Sequence, residues 1–317
     1  MTTTGREYSA GTVEHNATEN TLFADGKKSG HGTIAWLPAP AYAMAAHPDW
    51  APRSPHPVIA LLDTGVRSHP WLSADEQSFV LQAEAYGWRS PIPKDDSVQT
   101  EDYHSHWGHA TFIAGLIRLA APDAQVLSMR VMNSQGKVSE DHVAEALNWL
   151  ADNPELSGGL SVDIVLMAFG RQEDPGNKDL DKLRTPIGKL TGRGVRIVAS
   201  AGNDAAELPV YPAAFAAESA LAPSSRRSVL SVGAVDTPTE RASYSNFGPW
   251  VTQWRPGTNI VSIMPLTVDS AGAAAAPAHG DGYAWWSGTS FAAAAVAGEL
   301  ASGLPVSQPL AEPASGS

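Results

Sequence analysis

The chain has 317 residues, 43 % hydrophobic and 17 % charged, with a formal net charge of −12 and no cysteine. That composition suits one large α/β domain or two small ones with a sizeable core, and the lack of thiols excludes disulfides and thiolate metal sites. The acidic balance argues against phosphate backbones and anionic membranes as natural partners, because those need clustered Lys and Arg.

Residues 1–50 mix Thr, Asn, Glu, Lys, Pro and Ala without periodicity and read as a partly disordered N-terminal arm. The start lacks the basic and apolar stretches of a secretory signal, and no run of 18 apolar residues follows, so the expected location is the cytoplasm. A globular domain is expected over 51–303, and 304–317, rich in Pro, Ser, Ala and Gly, reads as a disordered tail.

Within the domain, Val58-Ile59-Ala60-Leu61-Leu62 is a continuous apolar run ending at Asp63, the pattern of a strand covered on both faces of a parallel sheet. Its terminal carboxylate then sits at the sheet's rim. The polar stretch between Leu72 and Trp107, with Pro91, Pro93, Asp95 and Asp96, reads as an inserted surface loop. Further strands are expected over 125–131, 162–167, 195–200 and 229–235, separated by helix-length segments. One helix follows Ser139, an N-cap candidate with Glu140 and Asp141 in the first turn and Val143, Leu147 and Leu150 on one face. Another runs over about 179–190 and stops at Gly192 and Gly194. This βαβ alternation predicts helices on both faces of a mostly parallel sheet, joined by right-handed crossovers.

Four motifs carry the chemistry: Asp63-Thr64-Gly65, Gly108-His109-Ala110-Thr111, Ala201-Gly202-Asn203 and Ser287-Gly288-Thr289-Ser290-Phe291-Ala292-Ala293. A serine hydroxyl is a weak nucleophile at neutral pH. It needs an imidazole to take its proton, a buried carboxylate to orient that imidazole, and donors for the oxyanion. Seen singly, Asp63 is a turn former, His109 and Ser290 are helix caps, and Asn203 is a loop residue after glycine. Seen together, the four supply each part of a serine-hydrolase centre.

The order Asp, His, Ser, with Asp-Thr-Gly ending a strand, His-x-Thr-x-x-Ala-Gly opening a helix and Gly-Thr-Ser opening a later one, resembles the subtilisin-like serine peptidases. The resemblance runs from about Val58 to Gly298 and includes Tyr211-Pro212-Ala213, Val232-Gly233-Ala234-Val235, Tyr244-Ser245-Asn246-Phe247-Gly248 and Pro256-Gly257. It implies a three-layer subtilisin-like α/β fold and a serine endopeptidase needing no cofactor. Ser290 would be the nucleophile, His109 the general base and then acid, Asp63 the orienting carboxylate, and Asn203 an oxyanion donor. An extended peptide substrate would lie as an added strand between Gly136-Lys137-Val138 and Ala168-Phe169-Gly170. The primary pocket would be walled by Ala168 to Gly170, Ser200 to Gly202 and Val210-Tyr211-Pro212, with Tyr211-Pro212 a candidate cis bond. Val210 stands where many relatives have glycine and implies a short pocket for small or medium residues, whereas Asp204 near the rim would favour a basic one. These two readings conflict.

Departures from the family pattern are Ala110 for Gly after the histidine and Ala294 for Pro four residues after the serine. They keep open an alternative, a weak or inactive peptide-binding module on the same fold. A structural calcium site common in relatives is expected to be absent, since Trp71 follows His69-Pro70 and residues 114–120 carry no oxygen-rich loop. His104, His106 and His109 form a zinc-like spacing, but a ligating His109 would be unable to take a serine proton, so no metal is expected. Trp285-Trp286, two of ten tryptophans, are expected to pack against the catalytic helix. The expected partners are peptide or protein substrates, with no nucleic acid or membrane, for a monomer; an N-terminal arm lying across the substrate cleft would inhibit it.

Overall fold

The computed structural model describes residues 7–9, 35–37, 55–72, 79–93, 106–173, 177–217, 228–265 and 282–303. In chain order the strands are β1 (Glu7–Ser9), β2 (Ala35–Leu37), β3 (Val58–Asp63), β4 (Val80–Gln82), β5 (Gln125–Arg130), β6 (Lys137–Ser139), β7 (Ile164–Met167), β8 (Arg171–Gln172), β9 (Arg196–Ser200), β10 (Val210–Tyr211), β11 (Val229–Thr237), β12 (Glu240–Arg241), β13 (Gln253–Pro256), β14 (Ile260–Ile263) and β15 (Tyr283–Trp286). The α-helices are α1 (His109–Ala120), α2 (Glu140–Asp152), α3 (Asp181–Gly192) and α4 (Thr289–Ser302).

The main sheet runs β12-β11-β9-β7-β3-β5-β4, with β13 also on β11, and every pairing but β11–β12 is parallel. Strand β3 sits between β5 and β7 and is buried throughout, so both its faces must be covered and its alternation disappears into an all-apolar run. Leu62, Met129, Met167 and Ile197 pack on one face under Val143, Leu147 and Leu150 of α2 and Leu183, Ile187 and Leu190 of α3. Leu61, Val126, Leu166 and Val198 pack on the other under Phe112, Ile113 and Ile117 of α1 and Phe291 and Val296 of α4. Two apolar layers thus hold three layers of structure, each fully buried large side chain contributing about 1.5–3 kcal/mol. Ser139 caps α2 as expected, its hydroxyl accepting from Asp141 N at 3.3 Å, and α4 runs unbroken through Ala294.

The stretch read as an inserted surface loop is corrected over its described part. Val80–Gln82 is the edge strand of the main sheet, parallel to β5, and Phe79 and Trp88 are buried, Trp88 against Trp149 of α2 with ring centroids 5.9 Å apart. A three-residue strand among prolines and charges is too short to show a period, and only its pairing with β5 reveals it. Two strands also lie in the segment read as an arm: β1 pairs antiparallel with β6, and β2 with β15.

Candidate active site

Asp63 ends β3 at the sheet rim, and His109 is the first residue of α1. The imidazole Nδ1 lies 3.0 and 2.9 Å from the two carboxylate oxygens of Asp63, and Thr64 N donates to Oδ1 at 2.7 Å. An ionised carboxylate only accepts, so Nδ1 carries the proton and Nε2 is left as the basic nitrogen. Asp63 is 0 % exposed and His109 2 %. Three rings surround the imidazole: Trp286 edge-on at 5.4 Å, Phe291 at 5.7 Å and His106 at 5.6 Å. Ala110 N donates to Thr64 Oγ1 at 3.3 Å, tying the start of α1 to the turn after Asp63.

Ser290 is the second residue of α4, at the helix end where backbone N–H groups are left to donate. Its hydroxyl donates to Ala168 O at 3.0 Å, and it makes no hydrogen bond to His109. Thr289 orients Asn203: its N and Oγ1 both donate to Asn203 Oδ1 at 2.9 Å. With the oxygen end so engaged, Nδ2 is the end of the amide that donates. The loop holding Asn203 is in turn clamped by Asn246, whose Nδ2 donates to Ala201 O at 2.9 Å while its Oδ1 accepts from Asp204 N and Ala206 N, each at 2.9 Å. Gly202 adopts φ 100°, a left-handed conformation that glycine adopts readily. Asn246 acts on residues 40 to 45 positions away, so no local pattern in its own segment reveals the clamp.

The expected substrate-binding residues divide by what they offer. Ala168 and Phe169 have buried side chains in opposite core layers, so only their backbone faces a ligand. A Cβ on Gly170 would collide with Val210 Cγ1, and one on Gly202 would lie 3.6 Å from Val210 Cγ2, so Val210 fills the space between two glycine walls. Ser200 ends β9, and Tyr211-Pro212 is cis. Gly136 lies against the His106 ring. A charged cluster went unnoticed in the sequence: Arg171 Nη2 donates to Glu140 at 2.8 Å and its Nη1 donates to Glu173.

Trp286 packs on His109, Phe112 and Phe291 as expected, while Trp285 is 44 % exposed. Among the described residues no group of three His, Cys, Asp or Glu side chains is arranged to hold a metal. His104 and the acidic residues Asp95, Asp96, Glu101 and Asp102 lie outside the described residues. His69 packs edge-on against Tyr283 with centroids 5.6 Å apart, its Nδ1 accepts from Trp71 N at 3.1 Å, and burial holds its pKa below the ordinary 6.5.

The fold and this rim define a class: α/β proteins in which a strand-end aspartate bonds a helix-start histidine while a serine opens a later helix beside an oriented asparagine. The profile of the Subtilase family matches residues 54–308, and the chain belongs to that family. It is similar to an alkaline protease of Alkalihalobacillus alcalophilus, 27 % identical over 252 residues, 77 % of this chain and 52 % of that protein. Subtilisin BL of Lederbergia lenta is also 27 % identical over 252 residues, 77 % and 74 % of the two chains. An intracellular serine protease of Paenibacillus polymyxa is 27 % identical over 257 residues, 77 % and 65 % of the two. The chain therefore spans about half the length of the first of these relatives. The fold matches a cold adapted subtilisin-like serine proteinase, with TM-score 0.52, 23 % identity and coverage of 77 % and 73 %. It also matches the prenylagaramide maturation protease PagA, with TM-score 0.55, 22 % identity and 80 % of each chain covered.

Proposed function

We propose that the protein is a serine endopeptidase that cleaves peptide bonds with Ser290 as nucleophile. The observation that carries this reading is the buried Asp63–His109 hydrogen bond at 2.9 Å, on the same rim as Ser290 and the oriented amide of Asn203. In the reaction, Ser290 turns about its Cα–Cβ bond from Ala168 O toward Nε2, and His109 takes the hydroxyl proton as Oγ bonds to the substrate carbonyl carbon. The oxyanion accepts from Ser290 N and Asn203 Nδ2. The imidazolium, stabilised by Asp63, then protonates the leaving amine, and a water molecule activated by His109 releases the acyl group. Trp286 and Phe291 exclude water from the imidazole, which strengthens its interaction with Asp63.

The substrate is a peptide or protein lying in extended form between Gly136-Lys137-Val138 and Ala168-Phe169-Gly170. That β6 already accepts an antiparallel strand, the chain's own β1, supports main-chain pairing as the mode of recognition. It also supports a competing role for the N-terminal segment, so deleting residues 2–30 raises the rate on small peptides; an unchanged rate removes that role. Val210 shortens the primary pocket and favours small residues beside the cleaved bond. A monomer acting on peptides, with no nucleic-acid or membrane partner, fits the net charge of −12. Among the described residues no helix is long and apolar enough to cross a membrane.

Hydrolysis of a denatured protein, measured with phenylmethylsulfonyl fluoride and separately with a chelator, tests the reading. Inhibition by the fluoride and persistence with chelator are expected; the reverse pattern assigns the activity to a metal.

A further inference from the structure

One short segment grips both parts of the candidate centre that lie away from the Asp63–His109 pair. Residues 244–247 run beside the loop that carries Asn203. Ala205 N donates to Tyr244 O at 2.8 Å, Asn246 N to Gly202 O at 3.0 Å and Phe247 N to Ala206 O at 3.1 Å. With the side-chain bonds of Asn246 to Ala201, Asp204 and Ala206, the loop is fixed to this segment through backbone and side chain alike.

Tyr244 reaches the other way. It is 5 % exposed, and its hydroxyl lies 3.0 Å from Thr258 Oγ1, which itself donates to Asp236 Oδ1. A hydroxyl has one proton to give, so with Thr258 committed to the carboxylate the phenol is the donor in this pair. The phenol oxygen in turn accepts from the backbone of Gly288, two residues before Ser290. Burial pushes the phenol's pKa well above its ordinary 10, so its proton stays in place near neutral pH. These bonds all point one way, from Gly288 through Tyr244 and Thr258 to the exposed Asp236, and bonds in such a chain polarise and strengthen one another. A neighbouring turn supports the same spot. Gly288 N donates to Gly257 O at 2.9 Å, and Asn259 N donates to Ser287 Oγ at 3.0 Å. A Cβ on Gly257 would stand 2.9 Å from Gly288 O and 3.2 Å from the Tyr244 hydroxyl, so this close approach needs glycine.

The ring of Tyr244 belongs to the apolar layer that includes Ala234 and Ala242, a place that phenylalanine would fill equally well. Packing therefore leaves the hydroxyl without a purpose. We propose that Tyr244 is a positioning residue: its hydroxyl, backed by Thr258 and Asp236, holds the turn carrying Ser290 in register with the Asn203 amide, so that both oxyanion donors converge on one point. This rests on the peptidase reading for the role of Ser290. The oxyanion forms only during the reaction, so the register acts on the transition state more than on bound substrate.

The test compares two variants of the full-length chain: Tyr244→Phe, which removes one oxygen, and Thr258→Val, which takes this acceptor from the phenol. Each lowers kcat on a peptide substrate about tenfold and leaves KM within about twofold of the parent. In an Asn203→Ala background the same substitutions change kcat by less than about twofold, since one of the two aligned donors is gone. Unchanged kcat, or an equal fold loss in both backgrounds, overturns the proposal, because a residue that only stabilises the fold acts independently of Asn203. Amide hydrogen exchange separates this proposal from the peptidase reading. Exchange about tenfold faster at Gly288 and Thr289 is expected in Tyr244→Phe. A parent chain that neither cleaves peptides nor takes up a fluorophosphonate sinks the peptidase reading; faster exchange at those two amides then keeps the tie between Tyr244 and the turn. Unchanged exchange sinks the tie whatever the activity.

Discussion

The two halves of the candidate catalytic centre are held in different ways. Asp63 and His109 are closed on each other by a direct hydrogen bond between a strand end and a helix start, both locked by the sheet and by three packed rings. Ser290 is instead latched to a backbone carbonyl, and its partner amide is set by Thr289 and Asn246 rather than by the histidine. The first half is therefore built into the fold, while in the proposed reaction the second must release its carbonyl partner before the serine reaches the histidine. A peptide that pairs with the Ala168-Phe169-Gly170 segment competes for that surface, so substrate entry and release of the serine are coupled in the proposed reaction.

Breaking the fixed half has the largest consequence. With His109 as the proposed general base, His109→Ala lowers kcat by a factor on the order of 10⁶, the size seen when the catalytic histidine of subtilisin is removed, measured against a peptide substrate. In the proposed reaction the serine loses its base, and a loss below tenfold would mean that the Asp63–His109 pair is structural. The latched half yields less. Asn203→Ala lowers kcat by about 10²–10³ with KM nearly unchanged, because the amide acts on the oxyanion more than on the bound substrate. An equal loss in 1/KM would place Asn203 in ground-state binding instead.

At the proposed primary pocket, Val210→Gly removes the side chain between Gly170 and Gly202 and shifts preference toward Phe over Ala by about tenfold or more, read as a ratio of kcat/KM values. An unshifted ratio would show that Val210 does not limit the pocket. The smallest effect concerns stability and neither half of the centre. Burial lowers the pKa of His69, so as pH falls below about 6.5 the unfolded chain takes up a proton before the folded one does. Its contribution is full above that pH and is lost as pH falls toward the depressed value. Tm therefore drops more steeply between pH 7 and pH 5 in the parent than in His69→Asn, and parallel curves would remove His69 from the acid response.

The same division describes what the amino-acid order reveals. Val58–Asp63, the Ser139 cap and the strand–helix alternation are local patterns, and each appears where periodicity and capping chemistry put it. The strand Val80–Gln82 escapes because its three residues gain their identity from β5, more than forty positions away in the chain. Near the site, the ring contacts of Trp286 and Phe291 on His109, the Asn246 clamp and the Glu140–Arg171 bridge join residues from separate elements. Nothing in the local sequence of Asn246 or Glu140 distinguishes it from an ordinary surface residue. The family was legible because the types and order of its motif residues are constrained together; what orients those residues was not, because orientation is a property of packing.

Covalent labelling of the intact protein by a fluorophosphonate probe, with the modified peptide mapped by mass spectrometry, tests the central claim most directly. One adduct on Ser290, lost in Ser290→Ala and strongly slowed in His109→Ala, is the predicted result. A folded protein that takes up no probe, or takes it up equally after Ser290→Ala, would contradict it.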